Sequence, residues 1–310
     1  MQPEPIYLKT IREGKFQEKI AQAYELMKSC ALCARRCGVN RTAGETGYCK
    51  TMDKPVISSY GPHHGEEAPI SGERGSGAIF LTGCNLGCVF CQNYEISHMG
   101  SGRECTVGAF AEVIVNVMEM GCHNVNFVTP SHQMPVIIEA LAIAAGKGFN
   151  LPVVWNCGGY ESPEALSVLE GIVDIYMPDF KFWDEKPSRY YLNAPDYPEI
   201  ARAALKIMHA QTGDLIMDDL GIARSGLLVR HLVMPKNIAG TEKLVEWLAK
   251  EISPNTYVNI MDQYHPCFRA RNFADLNRKI TKEEYIEALK SARGAGLRII
   301  LKLIFFMAIS

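Results

Sequence analysis

The run Gly83-Cys84-Asn85-Leu86-Gly87-Cys88-Val89-Phe90-Cys91-Gln92-Asn93 places three thiols in the spacing Cys-x-x-x-Cys-x-x-Cys. A loop that short can wrap one corner of a cubic iron–sulfur cluster and ligate three of its four irons. The fourth iron then keeps an open position, the property that separates catalytic metal sites from closed structural ones. The amine and carboxylate of a small ligand could fill it. A zinc knuckle is the alternative, but closed zinc sites take four protein ligands and this loop supplies three. Cys105 could be a fourth, although it lies well beyond Cys91 in the chain.

A second group precedes it: Cys30-x-x-Cys33-x-x-x-Cys37, followed by Cys49 in Gly47-Tyr48-Cys49. Four soft ligands in a compact segment suit zinc or an iron–sulfur cluster. Arg35 and Arg36 would offset part of the thiolate charge, and four unligated buried cysteines are the bland alternative. Eleven cysteines cannot all pair, and seven of them sit in these two groups. That favours metal ligation in a reducing compartment over a disulfide framework, and a cytoplasmic location is expected. The first twenty residues have neither the apolar stretch nor the cleavage site of a signal peptide. A formal charge of −2, with no basic run interleaved with aromatics, gives no expectation of nucleic acid or membrane as partner. The apolar run Leu297–Ser310 contains Arg298 and Lys302 and is too short for a membrane helix. It reads as a closing strand and tail.

These groups need a scaffold. Beyond Gly75 the chain alternates apolar strand-like runs with helical ones. Strands are expected at Ala78–Thr82, Val125–Thr129, Pro152–Asn156, Ile172–Met177, Leu227–Met234 and Thr256–Met261, mostly apolar throughout, as strands covered on both faces are. Ser162-Pro163-Glu164 reads as a helix start, Thr241 as an N-cap, and Thr281 to Glu284 as a capping box. Gly213–Gly226 reads as an inserted hairpin. Serial strand–helix units imply parallel strands joined by right-handed crossovers. The expected fold is therefore α/β, a partial (β/α)6-type barrel over 76–310 preceded by a cysteine-rich extension over 1–75. In such barrels chemistry gathers at the C-terminal strand ends. Those ends carry Cys84; Thr129, Ser131 and His132; Asn156 and Cys157; Asp179 and Lys181; Lys236 and Asn237; Asp262 and Gln263. His63, His64, Glu66 and Glu67, in the stretch Tyr60–Ser71 before the first barrel strand, could reach the active site, but the stretch reads first as a solvated bridging loop.

From about Gly75 to Gly296 the chain resembles the radical S-adenosylmethionine superfamily, and within it the pyruvate formate-lyase activating enzyme and uncharacterised relatives with an N-terminal cysteine block. GCNLGCVFCQN, MPDFKF, LVMPKN and VNIMDQYHP carry the resemblance, in that order. It implies that Cys84, Cys88 and Cys91 hold a 4Fe–4S cluster. It implies that the Thr129–Ser131 loop holds the methionine amino group of S-adenosylmethionine, and that Asp179 and Lys181 supply the Asp-x-Lys pattern. Lys181 is a compact charge suited to a carboxylate, the hydroxyls can accept from an ammonium, and Asn156 can reach a ribose hydroxyl. The implied activity is reductive cleavage of S-adenosylmethionine to a 5′-deoxyadenosyl radical, which abstracts hydrogen from a substrate. A glycine of a partner protein would be that substrate, and flavodoxin or ferredoxin the electron donor. Radical modification of a small molecule or peptide is the alternative. A non-catalytic electron-transfer or scaffold protein is the reading from another class, and the polar barrel rim argues against it.

Overall fold

The computed structural model describes residues 4–299; positions 300–310, most of the apolar C-terminal run, lie outside the described residues. Ten strands are present: β1 (Val56–His63), β2 (Ser76–Leu81), β3 (Arg103–Glu104), β4 (Val125–Val128), β5 (Val153–Cys157), β6 (Ile175–Pro178), β7 (Ile216–Met217), β8 (Ala223–Leu232), β9 (Tyr257–Met261) and β10 (Arg298–Ile299). They form one sheet in the order β10-β9-β8-β6-β5-β4-β2-β1-β3, with β7 hanging on β8. From β2 to β10 every neighbour on that path is parallel. The sheet ends at β10 on one side and β3 on the other, so it curls without closing.

The central strands are built as their composition dictates. All of β4, β5 and β6 is buried, because helices cover one face and the curled sheet encloses the other. Trp155, Phe127 and Tyr176 face a large core shared with the helices, while Val154, Ile175, Met177 and Leu228 form a smaller cluster on the opposite side. Ser162 caps its helix through Ala165 N–H at 3.2 Å, and Thr281 and Glu284 make the reciprocal capping box. The expected inserted hairpin is β7 folding back on β8.

Three sequence expectations need correction. Tyr60–Ser71 is no solvated loop: Val56–His63 is a strand antiparallel to both β2 and β3, and Ala68–Ser71 is a helical turn whose Ile70 is completely buried in the smaller cluster. The capping position expected at Thr241 belongs to Gly240; the Thr241 hydroxyl instead meets His231 at 2.9 Å. Arg36 does not face the N-terminal thiols, because its guanidinium pairs with Glu164 at 2.6 Å on the surface. Among the described residues no helix is long and apolar enough to cross a membrane.

Candidate active site

The cysteine loop leaves β2 at Thr82 and turns at Gly83, whose φ of +90° suits glycine. A Cβ there would lie 2.7 Å from the Cys49 carbonyl oxygen, so the N-terminal cysteine segment packs directly on the loop. Gly87 is equally constrained: a Cβ would meet the Tyr48 hydroxyl at 2.3 Å and the Leu192 carbonyl at 3.1 Å. Gly87 N–H donates to Leu192 O and Val89 N–H to Tyr191 O, both at 2.9 Å. Phe90, the aromatic residue before the last cysteine, is buried edge-on against Phe182 and Tyr264. The loop is thus held by main-chain bonds on one side and an aromatic anchor on the other.

Cys84, Cys88 and Cys91 line a cavity of about 360 Å³ at the C-terminal ends of the parallel strands, within the range typical of small-molecule sites. Burial pushes the Cys84 thiol up to about 12, and the Cys88 and Cys91 thiols also rise; Lys181 pulls all three the other way. Left alone these thiols stay protonated, and ligation of a metal would release their protons. No three His, Cys, Asp or Glu side chains among the described residues are gathered closely enough to cage a single ion as they stand. Three soft donors spread around a roomy cavity instead match a multi-atom group such as an iron–sulfur cluster.

A chain of half-buried charges lines the cavity wall. Lys181 Nζ lies 2.6 Å from Asp179 Oδ2, Arg230 Nε donates to Asp179 Oδ1 at 2.8 Å, and another Arg230 nitrogen donates to Asn156 Oδ1 at 2.6 Å. Arg230 also reaches Glu66 at 3.4 Å. Burial works against the Asp179 carboxylate, yet Arg230 and Lys181 hold it below its ordinary value. Burial likewise opposes the Lys181 and Arg230 cations, and Asp179 raises both. For Glu66 burial wins, and its carboxyl is pushed up.

Thr129 lines the cavity at φ +59°, its N–H donating to Asn156 O at 2.8 Å. Asn156, Asp179 and Lys181 line it too. Ser131 does not: it is buried, and its hydroxyl donates to Glu161 at 2.5 Å. Of the wider rim, Cys157 and Gln263 line the cavity, Lys236 pairs with Asp275 outside it, and Asn237 accepts from Thr241 N–H. Cys105 lies away from the cavity beside β3. The sequence reading missed Arg230, and it set aside His63, Glu66 and Glu67, which all line the cavity; His64 stays exposed. Glu67 Oε1 accepts from Asn259 at 2.7 Å, and its other oxygen is buried without a partner. The one trace of Arg230 in the sequence is a charge within the run Leu227–Met234, which has no functional meaning until the sheet is formed.

A family profile described as the radical SAM superfamily matches residues 78–248. An uncharacterized protein of Methanocaldococcus jannaschii is 32% identical over 301 residues, spanning 94% of this chain and 82% of that protein. A crystal structure of a radical SAM methyltransferase from Sphaerobacter thermophilus aligns with TM-score 0.46 at 16% identity over 72% of this chain. HydG, a maturase of the [FeFe]-hydrogenase, aligns with TM-score 0.49 at 12% identity, also over 72%. This chain spans 65% and 50% of those two solved chains. By the profile match, which covers more than half of its length, the chain belongs to the radical SAM superfamily, whose enzymes work with a 4Fe–4S cluster and S-adenosylmethionine.

Proposed function

We propose that Cys84, Cys88 and Cys91 hold the 4Fe–4S cluster, and that the cavity beside them binds S-adenosylmethionine for an activating-enzyme-like hydrogen abstraction. The observation that carries this reading is the pairing, in one cavity, of three thiols with a cation, Lys181. When bound, the cluster would supply one electron to the sulfonium, and the resulting 5′-deoxyadenosyl radical would take hydrogen from the substrate. The chain's own residues do the rest. Lys181 offers its ammonium to the methionine carboxylate, with Asp179 holding the Nζ in place. Thr129 offers its hydroxyl to the amino group. Asn156 is fixed by Arg230 at its Oδ1, which leaves its amide hydrogens for a ribose hydroxyl. Leu86 and Phe90, both buried, keep water from the wall beside the thiols.

The substrate in this reading is an extended segment of a partner protein, with flavodoxin or ferredoxin as electron donor. What supports a protein substrate is that none of residues 30–54 lines the cavity. The test is anaerobic reconstitution with iron and sulfide, reduction, and measurement of 5′-deoxyadenosine. Cys88→Ala should lose the cluster's visible absorption and reduce 5′-deoxyadenosine formation at least a hundredfold, about 3 kcal/mol of barrier. Unchanged formation by that variant would refute the assignment. A lasting protein-centred radical in a candidate partner supports the protein substrate; deuterium loss from a metabolite without one points to a small molecule.

A further inference from the structure

A second cavity lies behind the cysteine loop, small at about 10 Å³, and Cys30, Cys33, Cys37 and Cys49 all line it. Arg35, Arg41 and His132 line it as well. All four cysteines are free. Between the helix ending at Lys28 and the strand starting at Val56, a single 3-10 turn is the regular structure. A stretch that poor in secondary structure usually needs a disulfide or a metal to hold it.

Three observations about this cavity fit together. Arg41 is 1% exposed, yet its guanidinium ends on neutral oxygens: Thr51 O and Oγ1 at 3.0 Å, His132 O at 2.5 Å, and Met52 O. Arg35 likewise donates to three backbone carbonyls, those of Asn85, Leu192 and Asn193. Neither cation has a carboxylate partner among the described residues; for Arg41, which is buried, a charge without a counter-charge is costly, while Arg35 is half-buried with its guanidinium 3.9 Å over the Tyr48 ring. The second observation is His132. Its Nε2 sits 2.7 Å from the Thr82 carbonyl and must carry the proton that bond needs. Nδ1 is therefore a lone pair, and it is buried with no partner. The third is Cys37, whose sulfur accepts the Tyr48 N–H at 3.4 Å; a Cβ on Gly47 would come within 2.9 Å of it. N–H donation to sulfur is a bond that thiolate charge strengthens.

We propose that Cys30, Cys33, Cys37 and Cys49 form a structural site for a single zinc-like ion, with the His132 lone pair as the further donor able to replace one thiolate. A dipositive ion with four thiolates carries two negative charges, and the guanidiniums of Arg35 and Arg41 neutralise them. The cavity is sized for one ion rather than for a cluster. Cys37 and Cys49 now point to the Tyr48 N–H and the Thr51 hydroxyl, so the cage closes by turning thiols inward. The ion would stiffen the segment that packs on Gly83 and Gly87, and through it the catalytic loop. This site is separate from the one proposed above.

The test uses the full chain, purified anaerobically with reductant and supplied with zinc. About one zinc per chain should be found, with sulfur at about 2.3 Å in zinc-edge absorption spectra. Cys37→Ser with Cys49→Ser, at the two more exposed positions, should cut zinc at least tenfold. Cys84→Ala with Cys88→Ala and Cys91→Ala should lose iron and keep zinc. If the serine variant fails to fold, a mercurial thiol reagent on the folded wild-type chain should release zinc in step with thiol modification. Zinc no higher than trace would overturn the proposal. So would zinc retained in the serine variant or after thiol modification, a disulfide joining any two of the four, or cluster absorption persisting in the triple alanine variant. Absence of 5′-deoxyadenosine formation by the wild-type chain with zinc intact would count only against the preceding proposal.

Discussion

At the scale of single residues, the chain Lys181–Asp179–Arg230 separates binding from stability. Asp179 accepts from both cations, so removing one leaves it still paired. Arg230 has more to lose, since it also satisfies Asn156 and Glu66. Arg230→Leu should therefore destabilise the fold by about 3 kcal/mol, the usual result of leaving buried partners uncompensated. Lys181→Ala should cost much less stability and instead raise the KM for S-adenosylmethionine roughly tenfold or more, the worth of one charge-assisted hydrogen bond. Thermal melts and substrate titration read the two effects, and equal melting losses would contradict the division. Lys181 and Asp179 were legible because they follow an apolar strand run. Arg230 and Glu67 were not, because a charge within a strand and a carboxylate before the barrel gain meaning only when the sheet curls.

At the scale of elements, the catalytic loop is shaped by what lies against it. Gly87→Ala brings a methyl group onto the Tyr48 hydroxyl and the Leu192 carbonyl, an overpacking that should cost about 1–3 kcal/mol and lower cluster occupancy. Adding Tyr48→Phe removes the nearer oxygen and should recover part of the loss; no recovery would mean that the Leu192 carbonyl dominates. Asp174 ties two other elements together, accepting Ile6 N–H at 2.7 Å and Val153 N–H at 2.8 Å. Burial pushes its carboxyl up to about 7. The folded chain thus keeps a proton that the unfolded chain releases near pH 4, so this stability is full at low pH and is lost as pH rises through about 7, at most roughly 4 kcal/mol. Denaturant midpoints should fall between pH 5 and pH 8, and Asp174→Asn should flatten that slope; parallel slopes would remove Asp174 as the cause. Parallel strands, the inserted hairpin and two helix caps were legible from local pattern. The β1 strand was not, since its burial alternates weakly and its place is set by pairing with β2 and β3.

At the scale of the molecule, the sheet of the described residues stays open between two edges, β10 and β3, and β3 pairs antiparallel with β1. The expected boundary near residue 75 falls between β1 and β2, which pair directly. Long-range ties of this kind leave little trace in local sequence. They also impose an order on synthesis. The amide of Ile6 must wait for Asp174, 168 residues later, before it finds its acceptor. At ribosomal speeds of about 5–20 residues per second that is roughly ten to thirty seconds. For most of that interval the thiols of Cys30 to Cys49 lack the Glu161 segment that later pairs with Cys33. The nascent chain therefore meets the cell's metals and oxidants with its first cysteine group uncovered, and the fate of that group is settled before the barrel exists.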